Sequence, residues 1–591
     1  MKALFSLNKY FWRYKWHLLG GVVFVFASNY FRILQPQMIR KAMDLVHEKI
    51  RAAPNGSGSL SPEVATSLGS TVLYFGSVVL LLALLMGVFM FLMRQTIVVM
   101  SRLVEYDLRK DIFRHYEDLD LAFYKRNNTG DLMARITEDV SKVRMYLGPA
   151  ILYGINLLSL FALTLGAMFS VSVQLSLYSL MLLPILSVVI YYVSDRIQRN
   201  SSVIAKQLAH LNSIAQESFS GIRVVKSYVQ ETALTAHFEE ESEIFRKKSM
   251  SLARVDAIFA PFMVLMIGAS VIITVYVGGL QVAAGTLTMG NIAEFVLYVS
   301  MLTWPVTSLG WVASMIQQAA ASQKRINEFL EQKPSISNFV TKNNILKKIK
   351  GEIIFENVTF IYPDTGIVAL KNVNFTLAAG EKMAIIGRTG AGKTSVADLL
   401  ARLYDPTEGR ILLDGQDLKK WDLSHLRQQI GYVPQDVFLF SDTIEANIRF
   451  GKNNASRQEV EQFAHYSAVY QDIMTLPKGF DTIIGERGVT LSGGQKQRVS
   501  IARALIKQPD IVLLDDCLSA IDSDTEQQIV GYLNTALAEK TTILITHRLY
   551  GQMNFDKILV LTDGEVEAFG SHHQLMEQNG YYADLYASQN V

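Results

Sequence analysis

Three short stretches hold phosphate-binding and proton-moving residue types at fixed spacing. In GRTGAGKT, the residues Gly387, Arg388, Thr389, Gly390, Ala391, Gly392, Lys393 and Thr394 fit GxxxxGK[ST], and Ser395 follows. An apolar run of strand type precedes the stretch and a helical pattern follows it. Glycines in that setting let backbone N–H groups close around phosphate oxygens at a helix N-terminus. Lys393 is expected to reach the terminal phosphates and Thr394 to ligate magnesium. In IVLLDDCLSAID, residues 511–522, four apolar residues run into Asp515 and Asp516. A strand ending there offers Asp515 as a second magnesium partner, directly or through water. In ILITHR another strand ends at His547, placed for a γ-phosphate contact.

A fourth stretch, LSGGQKQRVSIARAL, is the most specific. Ser492, Gly493, Gly494 and Gln495 open a basic amphipathic helix, so hydroxyl, free backbone N–H groups and positive dipole end coincide. One phosphate loop with two phosphate-binding helix ends leaves open whether the second faces its own nucleotide or that of another chain. The only cysteine, Cys517, follows a buried strand and is expected to be a small core residue. It excludes an intrachain disulfide and a cysteine metal cluster.

These residues all lie in the second part of the chain. Of 591 residues half are hydrophobic and 19% charged, below the roughly 25% of soluble domains. A net charge of +2 gives no field for nucleic acid. Thr71–Met93 is uncharged over 23 residues and Met145–Ser194 over 50, enough for one and two spans. Ala257–Ala293 is uncharged as well, with a break expected at Gly278–Gly279, and continues past Glu294 to about Trp311 for two more. Leu18–Ile39 supplies the first, so six are predicted. Arg32 and Glu294 stand at membrane depth and are candidates for substrate contact. Ten Lys and Arg lie between Arg94 and Arg144, nine between Arg196 and Arg254, and none in the turns near 172 and 285. The long connections and both termini are therefore placed in the cytoplasm. Trp12 and Trp16, with Lys9, Arg13 and Lys15, fit an interfacial helix. Residues 1–325 form the membrane part and 326–350 a linker. In 351–591 the apolar runs shorten and alternate with helices, as in an α/β domain.

On the order of the phosphate loop, LSGGQ, acidic strand and His547, residues 351–591 resemble the ATP-binding domain of ABC transporters. The whole chain resembles an ABC exporter half-transporter. That resemblance implies a helical membrane domain of six spans with long cytoplasmic extensions, fused to an α/β P-loop nucleotide-binding domain, in a bacterial inner or plasma membrane. It implies ATP and magnesium as ligands. It implies two chains paired head to tail, each ATP lying between one phosphate loop and the other chain's LSGGQ. Tyr362 matches the aromatic that stacks on adenine, and Gln435 the glutamine near magnesium and the attacking water. Asp522 matches the loop that crosses the dimer, and Glu486 the loop that touches the partner's intracellular helices. The bends at Lys125–Leu132 and Glu217–Val225 resemble the two coupling helices.

One position departs from the family. Asp516 stands where glutamate usually polarises the attacking water. Aspartate is one methylene shorter, and a misplacement of about 1 Å costs on the order of 10²-fold in rate. A slow site beside an intact LSGGQ suits one subunit of a heterodimer whose other subunit keeps glutamate. The expected function is ATP-driven export of amphipathic small molecules, with a lipid flippase, a homodimeric exporter or an ATP-gated channel as alternatives.

Overall fold

The computed structural model describes residues 2–52, 62–336, 348–485, 491–519, 521, 523–547, 554–578 and 580–589. The chain divides into two compact units, Met1–Tyr116 with Gly130–Gln332, and Glu117–Thr129 with Lys333–Val591.

The first unit is helical. Among the described residues six helices are long and apolar enough to cross a membrane: Lys15–Arg51, Ala65–Asp118, Thr129–Val171, Val173–Ile190, Glu231–Ala283 and Met289–Leu330. The helix Pro62–Asp118 has 57 residues, about 85 Å at 1.5 Å per residue. A hydrocarbon layer of about 30 Å takes up only part of it. Ser172, in extended conformation, separates the third and fourth spans and caps the fourth by accepting the Leu175 N–H. The expected break at Gly278–Gly279 is absent: the fifth span runs to Ala283, and the chain turns at Gly285, with φ +75°. In an apolar medium a helical backbone has no alternative hydrogen-bond partner, so internal glycines persist in helix. Gly278 instead admits Ile292, whose Cγ1 would lie 2.9 Å from an added Cβ.

The cation that meets Glu294 is Arg40. Glu294 is fully buried; Arg40 Nη1 lies 2.9 Å from its carboxylate and the Tyr298 hydroxyl donates to it at 2.9 Å. One turn away, Asp44 accepts the Gly290 N–H at 3.0 Å and the Thr288 hydroxyl at 3.0 Å, joining the first span to the start of the sixth. At the chain's beginning, Trp12 of the short helix Asn8–Arg13 and Trp16 at the start of the helix Lys15–Ala52 are each 74% exposed. The hydroxyls of Tyr10, in the first of these helices, and of Tyr14, which follows it, donate to Asp111 and Asp107.

The second unit is built on two sheets. β1 (Ile353–Ile361), β2 (Val368–Leu377), β4 (Glu408–Leu413) and β5 (Gln416–Asp417) form an antiparallel sheet in the order β2-β1-β4-β5. β3 (Lys382–Gly387), β6 (Ile430–Val433), β7 (Ile511–Asp515), β8 (Thr541–Ile545), β9 (Lys557–Thr562) and β10 (Glu565–Gly570) form the other, in the order β10-β9-β3-β8-β7-β6. There β9, β3, β8, β7 and β6 run parallel. β7 and β8 are buried throughout, which is why they read as unbroken apolar runs. Their two faces serve different cores. Leu513 packs in the cluster that holds Val396 and Leu399 of the helix Lys393–Leu400. Val512 and Leu514 pack with Val499 and Ala502 of the helix Gly493–Leu505. The short helix Leu121–Arg126 belongs to this unit, with Ala122 in the first of these cores.

Candidate functional site

The strand order sets the site. The carboxyl ends of neighbouring parallel strands deliver the phosphate loop after β3, His547 after β8, the two aspartates at the end of β7 and Gln435 after β6. Loops beyond such ends are where open α/β sheets bind ligands. Register fixes depth, because Ile385 pairs with Ile545 and Asp515 with Ile545.

Within the phosphate loop, Gly387, Gly390 and Gly392 have φ of +155°, +86° and +91°. A Cβ on Gly387 would collide with the Leu561 carbonyl oxygen, and one on Gly392 with that of Ala369. Arg388, Thr389 and Ala391 fill the turn between them. Lys393 is 7% exposed, and its ammonium donates to the Gly387 and Arg388 carbonyls at 2.9 Å each. Burial lowers its pKa, while Asp515 and Asp516 oppose the shift.

Asp515 is 1% exposed. Burial pushes its carboxyl up to about 6, with Asp398 and Asp516 adding and the Thr394 hydrogen bond and Lys393 opposing. Its Oδ2 is buried without a hydrogen-bond partner among the described residues. A buried carboxylate oxygen with spare valence beside a threonine hydroxyl fits a hard cation such as magnesium. Thr394 and Asp515 are the residues that would hold it, and the ion would draw charge from the phosphates.

Asp516 turns the chain out of β7 in the left-handed region, φ +46°, which aspartate tolerates better than most residues. Its N–H donates to the Ile545 carbonyl at 2.9 Å. Gln435 Nε2 lies 3.5 Å from its Oδ2, at the outer limit of a hydrogen bond. Cys517 is fully buried, and burial pushes its thiol pKa up.

Tyr362 follows β1, and its hydroxyl shares a 2.9 Å hydrogen bond with Ser395. The structure adds residues that sequence reasoning did not assign to the site. Lys125 Nζ stands 4.9 Å over the Tyr362 ring and 5.5 Å over that of Tyr404. Asp398 is buried, its pKa raised chiefly by burial, and it accepts the Tyr432 hydroxyl at 3.2 Å. Asp398 is four residues after Thr394, on the same helical face, a spacing visible in the sequence; no local signal ties Lys125 to Tyr362.

Ser492 caps the helix Gly493–Leu505 in a capping box. Its hydroxyl accepts the Gln495 N–H at 3.2 Å, and the Gln495 side chain accepts the Ser492 N–H at 3.0 Å. Gly493 and Gly494 form the first turn. This helix packs on the sheet face opposite the phosphate-loop helix. Asp522 and Glu486 lie outside the described residues.

Residues 18–306 match the family described as ABC transporter transmembrane region, and residues 370–519 the family described as ABC transporter. The multidrug resistance-like ATP-binding protein MdlA of Escherichia coli (strain K12) is 33% identical over 590 residues, 100% of this chain and 97% of that protein. The chain belongs to the ABC transporter family. It has the half-transporter organisation, a six-span part fused to one ATP-hydrolysing domain, in a multi-pass membrane protein. The probable multidrug resistance ABC transporter ATP-binding/permease protein YheI of Bacillus subtilis (strain 168) is 37% identical over 495 residues, 83% of this chain and 84% of that one. The structure of a bacterial Atm1-family ABC exporter with ATP bound aligns with a TM-score of 0.78 at 27% identity, over 97% of this chain and 99% of that one.

Proposed function

We propose that this ABC transporter exports amphipathic small molecules of the multidrug type, paired with a second, different half-transporter, and that its own phosphate loop forms the slower of two ATP sites. The observation that carries the asymmetry is Asp516. It stands beside Gln435 at the end of β7, where the resemblance expects glutamate. Residues that would bind ATP and magnesium are present, while the group that would orient water is one methylene short. Pairing is supported by the sheet: the LSGGQ helix and the phosphate-loop helix of one chain pack on opposite faces. An anion site at Ser492 then serves a phosphate loop brought by another chain. The names of the relatives, multidrug resistance proteins, support the substrate class.

On this assignment Lys393 holds the terminal phosphates, Thr394 and Asp515 the metal, and Tyr362 the base. Asp516 accepts a proton from, or orients, the attacking water only weakly. Closure of the two ATP-binding domains would then act on the membrane part through the bends near 125 and 222.

The test is purification of the chain alone and with the product of a neighbouring gene, with ATPase and dye-transport assays on both, for wild type and Asp516→Glu. The lone chain should be poorly active and the mixed pair active, and Asp516→Glu should raise turnover at this chain's site in the pair. A lone chain that dimerises and transports at full rate sinks the heterodimer reading.

A further inference from the structure

A second concentration of charge lies far from the ATP-binding residues in sequence, where the second and third spans leave the membrane. Glu105 is surrounded by three guanidiniums: Arg109 at 2.8 Å, Arg102 at 3.0 Å and Arg144 at 3.6 Å. Among the described residues one carboxylate answers three cations, so the cluster keeps two positive charges. The nearby Asp107 and Asp111 do not balance them, because Arg13 and Lys9 already pair with these at 3.0 Å each. Arg144 is only 16% exposed, and its Nε is buried without a hydrogen-bond partner among the described residues. Arg102 and Arg109 are 61% and 48% exposed, so donors remain open on the outer side.

Contacts with the first span set the depth. Gly21 packs against Ile97, and Tyr14 bonds to Asp107. Residues 102–105 therefore lie level with the segment between Tyr14 and Gly21, where the first span begins. Exposed Trp12 and Trp16 mark the same level, as aromatic residues do at membrane–water boundaries. Arg144 directly precedes an apolar run, and a Cβ on Gly148 would come 2.7 Å from the Ser101 hydroxyl, which fixes the third span against the second at this height.

We propose that Arg102, Arg109 and Arg144 bind the headgroup phosphate of an anionic phospholipid from the cytoplasmic leaflet. Planar guanidinium forks suit phosphate oxygens better than point charges do. Basic pockets between spans on the cytoplasmic side meet a leaflet rich in anionic lipid. The site is independent of the ATP-site asymmetry and of the exported compound.

The experiment is native mass spectrometry of the purified, delipidated transporter titrated with phosphatidylglycerol or phosphatidylcholine. Wild type should retain phosphatidylglycerol preferentially, and each arginine removed should cut that preference about fivefold. Arg144→Gln tests the buried member; the pair Arg102→Gln and Arg109→Gln, on exposed side chains, tests the site without disturbing packing. Glu105→Gln should bind phosphatidylglycerol at least as well as wild type, because a repelling carboxylate is gone. Equal retention of the two lipids by wild type, or loss of binding in Glu105→Gln, overturns the proposal and leaves a purely structural ion network. Displacement by inorganic phosphate at concentrations equal to the lipid would assign the cluster to a soluble anion and overturn the lipid assignment.

Discussion

At the scale of single residues, the two aspartates ending β7 differ in what surrounds them. Asp515 is buried and carries a pKa raised to about 6, burial being the main cause. A carboxyl raised above its unfolded value of 3.8 stabilises the fold below that pH, and the contribution is lost as pH rises through about 6. Without magnesium, Asp515→Asn should therefore raise the thermal midpoint at pH 7, through a gain on the order of 2 kcal/mol. The same variant should lose ATPase activity. In wild type, magnesium-dependent ATP binding should weaken as pH falls below about 6, read by nucleotide titration across pH. Asp515→Asn with undiminished turnover would remove this residue from the metal site. Lys393→Ala should weaken nucleotide binding at this chain's site by about tenfold or more, since it removes a charge-assisted donor. Titration with a fluorescent nucleotide, resolved by site, measures it.

Among the elements, close approach of the first and sixth spans rests on a missing side chain. A Cβ at Gly290 would sit 2.5 Å from Asp44 Oδ1 and 2.6 Å from the Arg40 carbonyl. Gly290→Val should therefore separate the spans and destabilise the membrane part by about 2 kcal/mol, the usual cost of overpacking. Gly87→Ala, at a helical glycine with open space around it, should change stability by less than about 1 kcal/mol. Thermal unfolding in detergent compares the two, and equal effects would mean that the Asp44–Gly290 contact does not organise these helices. The phosphate loop is an element of the same kind: collisions with the Leu561 and Ala369 carbonyls require glycine at 387 and 392.

For the whole molecule, the ATP-site proposal makes an unequal pair of predictions. If the sites are asymmetric as proposed, Ser492→Ala should strike the partner's faster site, whereas Asp516→Ala would strike one that is already slow. Turnover of the assembled transporter should fall several-fold more for the first, because one well-placed donor or base contributes about 10² or more. ATPase rates of the two mixed pairs decide it, and equal losses would remove the support for asymmetric sites.

Spacing along the chain determined much of this protein. A phosphate loop works through consecutive backbone groups, a span through about 20 consecutive apolar residues, and a helix cap through residues three apart, so GRTGAGKT, the six spans and LSGGQ are legible locally. That Asp516 follows Asp515 is also a matter of residue type, and its reading as a weak catalytic group is a proposal that rests on the family resemblance. Only the tertiary structure decided which distant residues meet. Arg40 faces Glu294, and Lys125 lies over Tyr362, because helix rotation and loop path, not spacing, choose such neighbours. It also decided that Gly278–Gly279 stays helical, since the backbone there finds hydrogen-bond partners only within its own helix. Finally, it placed the LSGGQ helix and the phosphate-loop helix on opposite sheet faces. Strand alternation sends Leu513 one way and Val512 and Leu514 the other, but which helix covers each face follows from packing the whole domain.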